Sequence, residues 1–267
     1  MKIAISGKGG VGKTLTAASL AQIFAQSGYA VLAIDADSNA NLAFTLGFPD
    51  SDKIAPISEM KELVEERTGT PPGQSGGLFR LNPKVDDIPP KYAVEHNGIK
   101  LMVLGKIKQA GSGCYCSENS LLRALLSHLL VAMNEVVILD MEAGVEHLGR
   151  ATAGAVDTMI VVVEPGRASI ETAFRINRLA RDIGIQKIVM VGNKIRNPRD
   201  KEFITSSLHE FEFIGFIPYD QAIVDADLAS KPVLGSSQLV DAAIRDIFHT
   251  LVFSVPTPAT ESSRRFS

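Results

Sequence analysis

The chain is poor in cysteine. Two cysteines in 267 residues, with a single residue between them, exclude the multi-disulfide framework of a small secreted domain. It also lacks a surplus of positive charge: 27 Lys and Arg face 30 Asp and Glu. The resulting net charge of −3 argues against a general nucleic-acid-binding surface and leaves room only for a local basic patch. No apolar run reaches the roughly 18 to 20 residues that span a bilayer, and no basic, apolar leader precedes the first strand pattern. Internal repeats and linkers are missing too. These absences predict a cytoplasmic protein with neither membrane nor nucleic acid among its partners. What the chain does have is apolar material, 45% of its residues, enough for one substantial core.

Short β-branched runs alternate with helical patterns over most of the length. The pattern predicts strands at 2–6, 30–35, 100–104, 135–140, 158–163, 187–191 and 213–217. Several are continuously apolar, as parallel strands covered on both faces are. Helical stretches at 121–132, 169–183 and 239–251 lie between or after them. The order predicts an α/β fold: a doubly wound, mostly parallel sheet of about seven or eight strands flanked by helices. One domain is expected over 1–253. Residues 49–97 break the rhythm and read as an insertion, with an amphipathic helix at 57–66 and Gly/Pro-rich turns at 70–77 and 86–90. The Pro-, Ser- and Thr-rich tail, 254–267, reads as disordered.

Directly behind the first strand stands Gly7-Lys8-Gly9-Gly10-Val11-Gly12-Lys13-Thr14, which meets the phosphate-loop pattern G-x-x-x-x-G-K-[ST]. Glycines let backbone N–H groups close around a phosphate, and the following helix adds its N-terminal partial charge. Lys13 reaches the β- and γ-phosphates in such a loop, and the Thr14 hydroxyl ligates Mg²⁺. With the strand before it and an amphipathic run (Leu20, Ile23, Phe24) after it, the motif predicts a nucleoside triphosphate site. Lys8 is surplus to this cradle.

Two acids follow strands next to that loop. Asp37, in Asp35-Ala36-Asp37-Ser38-Asn39-Ala40-Asn41-Leu42, is placed to orient an attacking water or to bind Mg²⁺ through water; the alternative is a self-capping Asp/Asn/Ser turn. Asp140 ends an apolar strand in the Walker B manner and is expected in the Mg²⁺ shell. Gly144, four residues on, can bring a backbone N–H to the γ-phosphate as a switch. Glu142 and Glu146 read as solvated loop acids, and His147 as an ordinary polar residue at a helix start. At another strand end, Asn193-Lys194-Ile195-Arg196 sits where a base-reading loop belongs. Guanine readers place an acid where this chain has Arg196, and a guanidinium offers no acceptor. That favours ATP over GTP, with Asn193 and the backbone near Ile217, Pro218 and Tyr219 around the adenine.

The two cysteines occur in Gly111-Ser112-Gly113-Cys114-Tyr115-Cys116-Ser117-Glu118-Asn119. On a regular strand, alternate residues share a side, so both sulfurs can face one way. Ser117 or Asn119 can cap a helix starting near Leu121, and a helix N-terminus favours thiolate. Two thiolates make half a tetrahedral or square-planar site, and no third cysteine completes it. A second copy of the chain across a two-fold axis supplies four thiolates, suited to Zn²⁺ or Ni²⁺. The competing reading is a pair of incidental small residues.

The Lys8-Gly9-Gly10-Val11-Gly12-Lys13-Thr14 stretch resembles the deviant Walker A loop of the MinD/ParA/nitrogenase-iron-protein class of P-loop NTPases. Within that class the chain resembles the CooC-type ATPases that serve nickel insertion into carbon monoxide dehydrogenase. The likeness is carried by Cys114-Tyr115-Cys116-Ser117-Glu118-Asn119-Ser120, by the stretch from Asp140 to Leu148, by Asn193-Lys194 and by Ile217-Pro218-Tyr219. It extends from Met1 to about Leu251. The resemblance implies an ATPase using ATP/ADP and Mg²⁺, a nucleotide- and metal-dependent homodimer, and a client metalloenzyme, carbon monoxide dehydrogenase. It further implies that Lys8 contacts nucleotide across the dimer, that Lys13 and Asp37 serve hydrolysis, and that Cys114 and Cys116 bind metal at the subunit interface. Leu15 departs from the pattern: it replaces a threonine whose hydroxyl would help hold the α-phosphate.

Two rivals share the loop. A partitioning ATPase needs a basic surface or a basic amphipathic C-terminal helix. Here that helix sets Asp241 and Asp246 against Arg245, and the tail adds only Arg264 and Arg265. An iron–sulfur reductase draws its thiolates from two well-separated positions, and this chain has only closely spaced ones.

Overall fold

In the structure, a computed structural model, residues 1–72, 78–105, 117–145 and 148–253 are described. The chain begins β1 (Lys2–Gly7), α1 (Lys13–Gln26), β2 (Val31–Ala36), α2 (Leu42–Thr45), α3 (Lys61–Thr68) and α4 (Ile88–Tyr92). It continues β3 (Val94–His96), β4 (Ile99–Val103), α5 (Ser117–Val131), β5 (Val136–Met141), α6 (Arg150–Ala153) and β6 (Thr158–Val163). It closes with α7 (Arg167–Ile183), β7 (Ile188–Ile195), α8 (Pro198–Ser207), β8 (Phe213–Pro218), α9 (Gln221–Leu228) and α10 (Gln238–Phe253).

All eight strands form one sheet in the order β3-β4-β2-β5-β1-β6-β7-β8. Every pairing is parallel except the edge pair β3–β4. The alternation of side chains explains the unbroken apolar runs. On β1, Ile3 and Ile5 enter one core with Leu20 and Phe24 of α1 and Ile244 and Phe248 of α10. Ala4, between them, enters the opposite core with Leu122, Leu125 and Leu129 of α5 and Ile176 of α7. Both faces are covered, so no strand needs a polar side. The parallel order aims the ends of β1, β2, β5, β6 and β7 at the same edge of the sheet, where ligands of such folds bind.

The insertion lies on the second core, where Ile57, Leu63, Val64, Val85 and Ile88 are buried. Three local readings change. The expected helix at 57–66 is a 3₁₀ turn, Ile57–Glu59, followed by α3 after a non-helical Met60. The segment 86–90, expected as a turn, opens α4, because Pro89 and Pro90 fall in its first turn where a missing N–H costs nothing. Helix α5 begins at Ser117, not Leu121. The Ser117 hydroxyl donates to Pro71 O, and the Ser120 hydroxyl donates to Arg80 O and Leu81 O, so these side chains satisfy insertion carbonyls. Among the described residues, no helix is long and apolar enough to cross a membrane.

Candidate functional site

The turn between β1 and α1 is closed by Val11 N–H donating to Lys8 O at 3.2 Å. Gly12 holds a left-handed φ of 96° at the N-cap of α1, and a Cβ there would overlap the Asn193 side-chain amide. That amide donates to Val11 O at 2.7 Å from the end of β7, 182 positions away. Asn193 is almost fully buried, and its Oδ1 accepts Lys194 N–H. Asn193, expected at the adenine, thus lines the cavity while bracing the loop from beneath.

Lys13, the first residue of α1, is buried, and Val11 points into the core. Next to Lys13, the Thr14 hydroxyl donates to Asp140 Oδ2 at 2.7 Å. The other Asp140 oxygen, Oδ1, is buried without a hydrogen-bond partner. Asp35 is paired with Asp140 in register on the neighbouring strand β2, and both are buried. Burial pushes the Asp140 carboxyl up to about 7, with Asp35 adding to the shift against the Thr14 hydrogen bond and Lys13. Burial likewise raises Asp35 to about 6, against the N–H groups it accepts. Thr14 and Asp140 therefore offer hard oxygen donors with one buried oxygen unspent, a set that fits Mg²⁺.

Asp35 also shapes the loop that carries Asp37. Its Oδ1 accepts Asp37 N–H at 3.1 Å and its Oδ2 accepts Leu42 N–H at 2.9 Å, pinning both ends. Asp37 accepts Asn39 N–H in turn. The loop is tied to the segment after β5 through Ser38 N–H, which donates to Glu142 Oε1 at 2.8 Å. Gly144 is held in the same segment: its carbonyl accepts the Ser6 hydroxyl, and its N–H donates to Glu142 O.

A cavity of about 750 Å³ opens above these groups. Of the residues expected at the site, Gly9, Gly10, Gly12, Lys13, Thr14, Leu15, Asp37, Asn193, Lys194, Pro218 and Tyr219 line it. Gly7 sits beneath the loop, where a Cβ would strike Val162 O. The far end is walled by Ile217, Ile223, Val224, Val233 and Val240, with Asp227 at the wall. The Tyr219 ring lies 4.7 Å from the Arg196 guanidinium carbon, and its hydroxyl donates to Gln221.

Lys8 points elsewhere. Its Nζ lies 3.3 Å from Glu164 Oε1, just past β6, while Lys194 Nζ lies 2.8 Å from Glu164 Oε2 and donates to Gly10 O at 2.6 Å. Burial works to raise the Glu164 carboxyl, but the hydrogen bonds and charges of Lys194 and Lys8 win and hold it below the usual range. Asp35 and Glu164 escaped the sequence reading. The available signal was that each, like Asp140, is an acid at the carboxyl end of an apolar strand.

Residues 2–233 match the model of the CobQ/CobB/MinD/ParA nucleotide-binding domain. The chain belongs to this family. As a CobQ/CobB/MinD/ParA-family protein, it is 46% identical over 254 residues to the carbon monoxide dehydrogenase accessory protein CooC of Rhodospirillum rubrum, covering 94% of this chain and 95% of that one. It is 44% identical over 236 residues to an uncharacterised ATP-binding protein of Methanocaldococcus jannaschii, covering 87% and 91% of the two chains. Among solved structures, the MinC:MinD cell division complex of Aquifex aeolicus matches with a TM-score of 0.68 at 23% identity, over 96% of this chain and 97% of that one. The family assignment fits an eight-stranded P-loop fold with its nucleotide cavity at the strand ends. Cys114 and Cys116, with Glu146 and His147, lie outside the described residues. Among the described residues, no group of three or more His, Cys, Asp or Glu side chains could hold a metal ion.

Proposed function

We propose that this family member is an ATP-hydrolysing metallochaperone that dimerises with ATP and supports nickel insertion into carbon monoxide dehydrogenase. The observation that carries the reading is one cavity joining a complete phosphate loop to Asp37, in a chain that aligns along nearly its whole length with CooC.

The loop N–H groups and Lys13 hold the phosphates, and Asn193 keeps the loop in shape beneath them. Adenine lies in the apolar end of the cavity, against the backbone of Pro218 and Tyr219. Asp37 orients the attacking water and accepts its proton as the bond to phosphorus forms. Thr14 and Asp140 would hold Mg²⁺, which neutralises charge on the phosphates and on the leaving oxygen. Gly144 senses the γ-phosphate by giving up its turn to Glu142 O. Two ATP-loaded subunits meet face to face, and Lys8 of each neutralises phosphate charge on the other. Cys114 and Cys116 from both subunits then provide four thiolates for one Ni²⁺ or Zn²⁺ cargo ion. Metal and nucleotide-bound dimer favour each other, because binding linkage is reciprocal. Hydrolysis releases the loops at Asp37 and Gly144, opens the dimer and hands the ion to the client.

Nickel-free carbon monoxide dehydrogenase incubated with Ni²⁺ tests this. Activation should require this protein, ATP and both cysteines. Equal activation by the Cys114→Ala variant, or without ATP, contradicts it.

A further inference from the structure

We propose that Glu164 is a latch that keeps Lys8 on its own subunit until ATP draws it away, making Glu164 the positioning residue that sets the ATP requirement for dimerisation. The inference rests on the reading that Lys8 acts on the nucleotide of a second subunit.

One carboxylate serves two lysines here, and unequally. Lys194 makes the shorter contact, 2.8 Å, and is secured a second time by Gly10 O. Lys8 makes a single contact at 3.3 Å. Lys194 is therefore the fixed member and Lys8 the releasable one. The backbone that carries the carboxylate is anchored: Glu164 N–H donates to the Ser169 hydroxyl of α7, and Ser169 N–H donates to Gly166 O. Lys194 holds a left-handed φ of 57°, a conformation a non-glycine residue adopts only when its surroundings enforce it. The arrangement around Glu164 is thus built, with one lysine partner in the phosphate loop and the other near the end of β7.

The latch is weak enough to open. The side chains of both Lys8 and Lys194 are 40% exposed, so the Lys8 contact is close to a surface ion pair. A triphosphate brings several negative charges to the loop and outcompetes one shared carboxylate. While latched, Lys8 is turned onto β6 of its own subunit and is withheld from a partner. Without Glu164 the lysine is free before ATP arrives.

Glu164→Gln, Lys8→Ala and the unaltered protein should be compared by two measurements. The first is the rate of reductive methylation of Lys8 in the nucleotide-free protein, followed by mass spectrometry. The second is the concentration of a non-hydrolysable ATP analogue that gives half-maximal dimer, followed by analytical ultracentrifugation. Glu164→Gln should label Lys8 several-fold faster. It should also lower the dimerisation midpoint, by up to about fivefold, the upper end of what one weak ion pair supplies. Lys8→Ala should not dimerise. An unchanged or higher midpoint in Glu164→Gln, with the unaltered protein dimerising normally, overturns the latch. Faster Lys8 labelling with no dimer in the unaltered protein overturns the underlying ATP-dimer reading and the control of dimerisation with it.

Discussion

Replacing Lys13 with alanine is expected to lower the ATP hydrolysis rate by about 10²- to 10³-fold or more, the size of losing a preorganised charge at a transferring phosphoryl group. Two effects act together. Lys13 is a buried cation at the first residue of α1, directly beneath the cavity. No exposed lysine can replace it, because its charge is held where water is scarce and electrostatic interactions are strong. Lys13 also favours the ionised form of Asp140. Removing it pushes that carboxyl further up and weakens the oxygen set that would hold Mg²⁺. Steady-state ATPase assays across Mg²⁺ concentrations check both parts: kcat falls, and the Mg²⁺ requirement moves to higher concentration. Retention of a tenth of the activity would remove Lys13 from the reaction.

Asp140→Asn should do two opposite things. Hydrolysis falls by about 10²-fold or more, because a neutral amide is a poor partner for Mg²⁺. The nucleotide-free protein becomes more stable. Asp140 titrates near 7 in the fold against an ordinary value of 3.8, so the folded state holds a proton that the unfolded chain has released. A carboxyl raised in this way costs no stability below about pH 4. The cost grows as pH rises through the window to about 7 and is complete above it. Asparagine carries no such cost at any pH, so its advantage is near zero at pH 4 and levels off above pH 7. After a discount for coupling to Asp35, the gain is on the order of 2 to 3 kcal/mol at pH 8. Urea unfolding at pH 4.5 and pH 8 measures it. A variant less stable than the unaltered protein at pH 8 contradicts the assignment. Stability surrendered at this position is the cost to the fold of a carboxylate placed to attract a divalent cation.

Parts of this site were legible because their causes are local. The phosphate loop declares itself through glycine spacing and a following amphipathic run. The strand 158–163 matches β6, Thr158–Val163, because burial on both faces forces six apolar or β-branched residues in a row. Edge strand β3 is three residues long, partly exposed and pairs only with β4, so it leaves no periodicity to detect. Residues Pro89 and Pro90 fit a turn and the start of a helix equally well, and packing of Ile88 into the core decides for α4. The bracing role of Asn193 depends on a hydrogen bond to Val11, far away in sequence, and the role of Glu164 depends on Lys8 of the phosphate loop and Lys194 of β7 converging on it. Nothing within a short window announces such contacts. Asp35 is masked in sequence by its neighbour: Asp37 is the more exposed acid of that loop, while Asp35 is buried and holds the loop's two ends.

In the proposed cycle nucleotide and cargo metal are bound by the same dimer, which metal analysis of that dimer tests directly. The protein is saturated anaerobically with a non-hydrolysable ATP analogue and Ni²⁺, with Zn²⁺ in a parallel sample, and metal content and mass are determined on the same chromatographic peak. One ion per dimer is expected, with the metal lost in Cys114→Ala and both metal and dimer lost when nucleotide is omitted. Metal content unchanged in Cys114→Ala, or one ion carried by each monomer, would contradict it.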